Sequence, residues 1–257
     1  MVSDAAHAPG APTDTMRDLS LPRHIALILD GNGRWASQRG LPRTAGHQEG
    51  LHAVRRAVRA CRDRGVRCLT LYAFSAANWS RPKDEVDGLM RICKEFAESE
   101  HDELVANGIR VEVVGELDEL PTPTRRAVER LVKDTAPGDR MTLGLALSYG
   151  GRRDVVNAMR AIAVRAAAGL VIPEEIDEAS LRSFLTTSAM PDPDLVIRTG
   201  GEQRLSDFLL FESAYAELYF SETLWPDFDA STLDAALTAY ARRQRRYGRT
   251  SEQVATP

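Results

Sequence analysis

The apolar positions of this chain fall into short runs that stop abruptly on glycine-rich or polar loops, separated by longer amphipathic stretches. The first run, Ile25-Ala26-Leu27-Ile28-Leu29, ends on Asp30 and is followed at once by Gly31-Asn32-Gly33-Arg34. A run this short that meets a glycine turn predicts a buried strand, because a helix needs about twice the length. The same logic predicts strands over Val66–Phe74, Ile109–Val114, Met141–Tyr149 and Leu195–Ile197, with apolar pieces at Phe208–Phe211 and Glu217–Phe220 supplying a sixth. Helical spacing of apolar residues predicts helices over Gln48–Arg64, Lys83–Asn107, Pro121–Thr135, Val155–Ala168, Ala179–Thr186 and Ser231–Tyr247. Gly65 stands where a helix C-terminus favours glycine. Strands and helices alternate throughout, so the expected class is α/β: one domain with a mostly parallel central sheet of about six strands flanked by helices. No Pro/Ser-rich linker interrupts the pattern. The expected domain runs over 21–249, after a disordered N-terminal lead-in at 1–20 and before a flexible tail at 250–257.

A parallel sheet places its ligands outside the carboxyl ends of its strands. Four such ends carry polar loops: Asp30 to Arg34, with Arg43 and His47 following before the next helix; Ser75 to Arg81; Gly150-Gly151-Arg152; and Arg198 to Ser206. Glycines let backbone N–H groups approach an anion, and arginine offers a permanent forked cation. Asp30 is out of place in an anion site unless a cation bridges it to the anion, which points to a phosphate or diphosphate site with Mg²⁺ held partly by Asp30. Two plainer readings compete on that stretch alone. One is a strand-to-helix turn without a ligand. The other is a dinucleotide site, since Gly31-x-Gly33-x-x-Ala36 matches the loose fingerprint and Glu49 stands about 20 residues on. Arg34, Arg43, Arg81, Arg198 and Arg204 are more cations than one monophosphate needs, and imply two anionic groups. The Arg242–Arg249 cluster reads as a solvated helix end.

Composition narrows the class further. A net charge of −4 speaks against nucleic acid as the main partner. Cys61, Cys68 and Cys93 lack metal-ligand spacing and read as reduced, packed thiols of a cytoplasmic protein. No span of about 20 apolar residues is present to cross a membrane, and 1–19 lacks the apolar core of a signal peptide. The GK[ST] signature of P-loop ATPases is missing as well.

Five ordered segments, HIALILDGNGRWA, LYAFSAANWSRP, YGGR, DLVIRTGGEQRLSDFLL and AYAELYF, together resemble the cis-prenyltransferases, the undecaprenyl diphosphate synthase (isoprenyl transferase) family. The resemblance spans about His24 to Tyr247. It implies a single α/β domain, usually a homodimer, that uses Mg²⁺ and no organic cofactor. The implied reaction condenses isopentenyl diphosphate with an allylic diphosphate, farnesyl or geranyl, in Z geometry. The product is a polyprenyl diphosphate such as a cell-wall lipid carrier precursor, or a shorter specialised chain. Peripheral contact with the inner face of the membrane through the lipid product is implied as well. Carried onto this sequence, Asp30 is the catalytic metal carboxylate and Glu217 a second metal ligand. Gly31, Asn32, Gly33 and Arg34, with Trp35, Arg43 and His47, line the allylic diphosphate site. Ser75, Ala76, Ala77, Trp79 and Arg81 form a substrate loop around Asn78, which matches the family's assigned proton acceptor. An amide is a poor base, so Asn78 reads physically as an orienting hydrogen-bonder. Arg198, Arg204, Leu205 and Ser206 resemble the isopentenyl diphosphate clamp. An apolar tunnel for the growing chain is expected from Val86, Leu89, Met90, Cys93 and Phe96 with Met141, Leu143 and Leu145. The chain departs from the pattern at Ala77, where glutamate is usual, at Asp207 for asparagine, and at Phe211-Glu212 for a Trp-Gln pair; Gln203 stands where relatives vary. A non-catalytic partner subunit on the same fold is the alternative of a different class.

Overall fold

The computed structural model describes residues 21–243. The two terminal segments expected to be disordered or flexible, and the last turns of the expected C-terminal helix, lie outside those residues. Six strands form one sheet: β1 (His24–Ile28), β2 (Cys68–Ser75), β3 (Ile109–Val114), β4 (Met141–Tyr149), β5 (Leu195–Arg198) and β6 (Glu217–Phe220). Their spatial order is β3-β4-β2-β1-β5-β6 and every pairing is parallel. The expected mostly parallel sheet is therefore wholly parallel. Phe208–Phe211 adds no strand; it belongs to a loop ahead of β6.

The helices are α1 (Asn32–Gln38), α2 (Arg43–Asp63), α3 (Lys83–Ser99), α4 (His101–Ala106), α5 (Thr122–Thr135), α6 (Gly151–Ala167), α7 (Glu178–Ser183) and α8 (Ala230–Ala241). Both sheet faces are covered, as a parallel sheet requires. Along β1, Ile25 and Leu27 enter the core that also takes in Leu51 and Val58 of α2, Met90 and Phe96 of α3, Leu131 of α5 and Leu233 of α8. Ala26 and Ile28 point the other way, into a smaller core with Tyr149, Met190 and Phe208.

Several boundaries moved for identifiable reasons. Helix α2 begins at Arg43, directly after Pro42, so Arg43 and His47 lie on the helix and not in a loop before it. Gly46, a poor helix former, stands just before the expected start at Gln48, and Gly50 just after it. They are needed there: a Cβ on Gly46 would stand 2.1 Å from the Asn32 carbonyl oxygen, and one on Gly50 2.5 Å from Asn32 Oδ1. The expected long helix over Lys83–Asn107 breaks at Glu100, whose buried carboxylate accepts from Arg55 Nε at 2.6 Å. Helix α6 starts early, at Gly151, because Asp207 meets its first turn: the Arg152 N–H donates to Asp207 Oδ1 (3.0 Å) and the Gly151 N–H to the Asp207 carbonyl (2.7 Å). A carboxylate at a helix N-terminus is favoured by the helix dipole, which gives the Asp207 departure a structural reason.

Strand β1 is followed in the sheet by β2 on one side and by β5 on the other, so the connections leave it in opposite directions. That reversal is the place where an open parallel sheet forms a crevice at its carboxyl edge. Asp30 follows β1 and Thr199 follows β5, and both stand at that crevice.

Candidate active site

Asp30 is fixed first through its backbone. Its N–H donates to Thr199 Oγ1 (3.0 Å), and the Thr199 hydroxyl donates back to the Asp30 carbonyl (2.7 Å). Its carboxylate, 30% exposed, then meets two arginines, Arg198 at 2.8 Å and Arg34 at 3.3 Å. The Arg198 side chain is only 5% exposed. Its Nη1 donates to Ser206 Oγ at 2.7 Å and also to the Arg204 carbonyl, while Nε is buried without a partner. Gly200, at φ +83°, adopts a backbone conformation that L side chains rarely take, and a Cβ there would also stand 3.1 Å from the Asp30 carbonyl oxygen. Gly31, at φ +115°, turns the chain into α1 on the same edge.

Beside Asp30 lies a polar pocket walled by Gly31, Asn32, Gly33, Arg34, Arg43, His47, Tyr72, Asn78 and Arg81. It adjoins an apolar cavity between the sheet and helices α2 and α3; Leu29, Asn32, His47, Ala73 and Leu89 are walls of both. Of the expected tunnel residues, Leu89, Met90, Cys93, Phe96 and Leu145 line the cavity, whereas Val86, Met141 and Leu143 are packed into the core away from it. The thiol of Cys93 is pushed up to about 12 by burial alone, so it acts as an apolar wall.

Behind the polar pocket stands a carboxylate that the sequence did not single out. Glu85, in the first turn of α3, lies 3.0 Å from Arg81 Nη1, 3.4 Å from His47 Nε2 and 3.6 Å from Arg43 Nη2. Burial holds His47 below its ordinary value; Glu85 opposes that shift and the two arginines add to it. Asn78 sits in the short 3-10 turn Ala76–Ser80, closed reciprocally with Ser75. The Ser75 N–H donates to Asn78 Oδ1 at 3.0 Å, which engages the amide oxygen, and Asn78 is also a wall of the pocket. Trp79 packs edge-on against Phe74 and donates to Ser148 Oγ at 2.7 Å, and Ser148 in turn donates to Glu119. The four positive-φ residues other than glycine among the described residues are Ser148, Ser206, Asp207 and Leu209. All lie at the carboxyl end of β4 or in the loop after Leu205, so backbone strain is concentrated around the clamp.

A sequence profile of the prenyltransferase family, described as undecaprenyl diphosphate synthase, matches residues 28–248. The chain belongs to this family. It is 49% identical over 236 residues to a ditrans,polycis-undecaprenyl-diphosphate synthase ((2E,6E)-farnesyl-diphosphate specific) of Xanthomonas axonopodis pv. citri, covering 92% of each chain. It is 48% identical over 228 residues to an isoprenyl transferase of Geobacillus kaustophilus, covering 89% of each. Among solved structures, lavandulyl diphosphate synthase from Lavandula x intermedia, in complex with dimethylallyl diphosphate, superposes with a TM-score of 0.88 at 37% identity, covering 90% of this chain and all (100%) of that one. The family settles the class of protein as a prenyltransferase enzyme and removes the dinucleotide reading.

Not every residue expected in this prenyltransferase site is brought to it. Glu217 is the first residue of β6 and registers with Leu195, which registers with Ile25. Asp30 lies five residues beyond Ile25, about 16 Å further along the strand direction. Glu217 accepts from Arg243 Nη1 at 2.8 Å instead, so within one chain it shares no metal with Asp30. Trp35 is outside the pocket: its indole N–H donates to Asp227 at 2.7 Å and Arg39 lies over its ring at 4.1 Å. Arg204, 61% exposed, pairs with Glu202 and contributes its carbonyl, not its guanidinium, to the Asp30–Arg198 cluster. Ala76 and Ala77 belong to the Asn78 turn without touching the pocket, and Leu205 packs at the edge of the smaller core. Two residues of the site were missed. Tyr72 alternates outward from the buried Leu71 on β2 and stacks on Phe208 at 4.4 Å, a position that a strand pattern alone marks as ordinary. Glu85 was signalled only by its spacing from Arg81, one helical turn away.

Proposed function

We propose that this chain condenses isopentenyl diphosphate with an allylic prenyl diphosphate, farnesyl or geranyl, to form Z prenyl units and release diphosphate. The observation that carries the reading is the adjacency of the two cavities: an anion pocket at Asp30 and an apolar cavity share Leu29, Asn32, His47, Ala73 and Leu89 as walls. An allylic diphosphate has that division, a charged head on an apolar chain. Arg34, Arg43 and Arg81 take the allylic diphosphate, and Arg198 with Ser206 takes the diphosphate of the second substrate. Charge develops on the departing diphosphate as the allylic C–O bond breaks, and fixed guanidinium groups stabilise it where it appears. The electron pair of the isopentenyl double bond forms the new C–C bond. The proton then lost passes to an oxygen of the departing diphosphate, because the Asn78 amide oxygen is engaged by Ser75; Asn78 orients the diphosphate through its N–H groups.

A divalent metal fits at Asp30. The carboxylate stands among arginines beside an anion pocket, and Mg²⁺ is commonly bound by one or two carboxylates completed by substrate phosphates. Bound there, Mg²⁺ supplies charge neutralisation of the leaving group. The non-catalytic alternative is disfavoured by Asp30, Arg34 and Asn78 facing one pocket.

The working unit is a homodimer in this reading, because Val156, Met159 and Val164 of α6 and the nearby Leu210 leave exposed apolar surface. No helix among the described residues is long and apolar enough to cross a membrane. A cytoplasmic location with peripheral contact at the inner membrane face, through the product, completes the proposal. The test is incubation with Mg²⁺, labelled isopentenyl diphosphate and farnesyl or geranyl diphosphate. Incorporation that disappears in Asp30→Ala is expected; no incorporation, or incorporation indifferent to that substitution, overturns the reading.

A further inference from the structure

We propose that Glu85 is a positioning residue for the allylic half of the site, setting Arg43, His47 and Arg81 toward the diphosphate without touching it. The inference rests on the prenyltransferase reading above. Glu85 is a wall of neither cavity, yet its three partners all line the polar pocket. Those partners come from separate segments: Arg43 and His47 from the start of α2, Arg81 from the turn before α3. Two arginines converging on one anion pocket repel each other and lose rotamer order unless a carboxylate stands between them. Glu85 does so with a side chain only 12% exposed, and a single oxygen, Oε1, is the atom nearest all three. Each guanidinium spends one nitrogen on it, Nη1 of Arg81 and Nη2 of Arg43, and keeps its other donors for the ligand. The Arg43 head also lies against Gly33, where a Cβ would stand 3.0 Å from its Cζ.

Removing Glu85 has two opposed effects on an incoming anion. It deletes a negative charge, which favours the anion, and it frees the two arginines, which opposes it. The guanidinium groups lie between Glu85 and the pocket and cancel most of its repulsion toward the diphosphate. The lost order is not cancelled, so the net effect is weaker binding.

The experiment compares Glu85→Ala, Glu85→Gln and Glu85→Asp with the natural chain, each checked for thermal unfolding. Steady-state kinetics should show KM for farnesyl diphosphate raised about ten- to hundred-fold in Glu85→Ala, the usual range for a partner that orients a ligand-binding group. Glu85→Gln should fall between, and Glu85→Asp should recover part of the loss. KM for isopentenyl diphosphate should stay unchanged, as should kcat at saturation. Calorimetric titration with inorganic diphosphate, which needs no turnover, should show the same order of affinities. Unchanged or tighter allylic binding, or equal losses for both substrates, overturns the proposal. If the natural chain incorporates no isopentenyl unit the prenyltransferase reading fails by itself, and the diphosphate titration still decides whether Glu85 orders the pocket.

Discussion

Asp30 should be the one position where loss of a charge both abolishes the reaction and tightens the binding of bare diphosphate. In Asp30→Asn the side chain keeps its shape and still offers an oxygen to Arg198, now 2.8 Å away, so folding stability should fall by only about 1–2 kcal/mol. Electrostatics change far more. For a diphosphate oxygen at a separation of about 5 Å from the carboxylate, two unit charges at an effective dielectric near 20 repel by about 3 kcal/mol. Asp30 is 30% exposed, and solvent screening reduces that by about half. The remaining 1–2 kcal/mol, roughly, corresponds to about five- to thirty-fold tighter binding of metal-free diphosphate in the asparagine variant.

The assay is calorimetric titration of sodium diphosphate in the presence of a chelator, repeated with Mg²⁺. In the natural chain Mg²⁺ should strengthen binding, because it turns the repulsion into a bridge; in Asp30→Asn that enhancement should vanish. Turnover should fall at least about 100-fold, the scale of losing one charge-stabilising group at a developing anion. Metal-free binding that is unchanged or weaker in Asp30→Asn would mean that the carboxylate does not face the anion. Retained Mg²⁺ stimulation of turnover would remove Asp30 as the metal ligand.

Three further outcomes follow from other parts of the molecule. His24 is buried between the Pro191 carbonyl (2.7 Å) and Thr70 Oγ1 (2.8 Å), and burial lowers it to about 4 from an ordinary 6.5. Its neutral-state contribution is therefore intact above pH 6.5 and is lost as pH falls toward 4, about 3 kcal/mol at most, and urea unfolding of His24→Gln across that window should show a flatter acid limb. Glu212 has the opposite sign: burial raises it, Oε1 accepts from Thr187 at 2.5 Å, and Oε2 is buried without a partner. Its cost grows as pH rises, so Glu212→Gln should raise the unfolding temperature at pH 8 more than at pH 5. In the apolar cavity, Cys93→Phe should shift the products to shorter chains by chromatography while KM for isopentenyl diphosphate stays unchanged; an unaltered product length would show that the chain runs elsewhere.

The parallel sheet was legible because β1, β4 and β5 are buried on both faces or nearly so, and runs such as Ile25–Leu29 have no helical alternative of that length. The crevice residues were legible for a related reason: Asp30, Asn78 and Arg198 each follow the last apolar residues of a strand, and in a wholly parallel sheet all such positions share one edge. What stayed hidden depended on neighbours distant in the chain. Gly46, left before the expected helix, is a poor helix former whose need shows only once Asn32 is seen pressed against it. Glu85 reads as a solvated first-turn acid until α2 brings Arg43 and His47 to it.

Glu217 fails in an instructive way. An ordered motif fixes where a residue stands in the chain, but not which end of its strand faces the ligands. In β6 the carboxyl end is Phe220, in register with Arg198, and Glu217 begins the strand at the opposite edge. Three residues of strand amount to about 10 Å, more than a glutamate side chain spans, so no rotamer carries its carboxylate to the crevice. In the proposed reading, within one chain, Asp30 would then be the protein's carboxylate for the metal, with the rest of its ligands coming from the substrate. That makes metal affinity dependent on substrate, and the titrations above should find Mg²⁺ bound weakly until diphosphate is present.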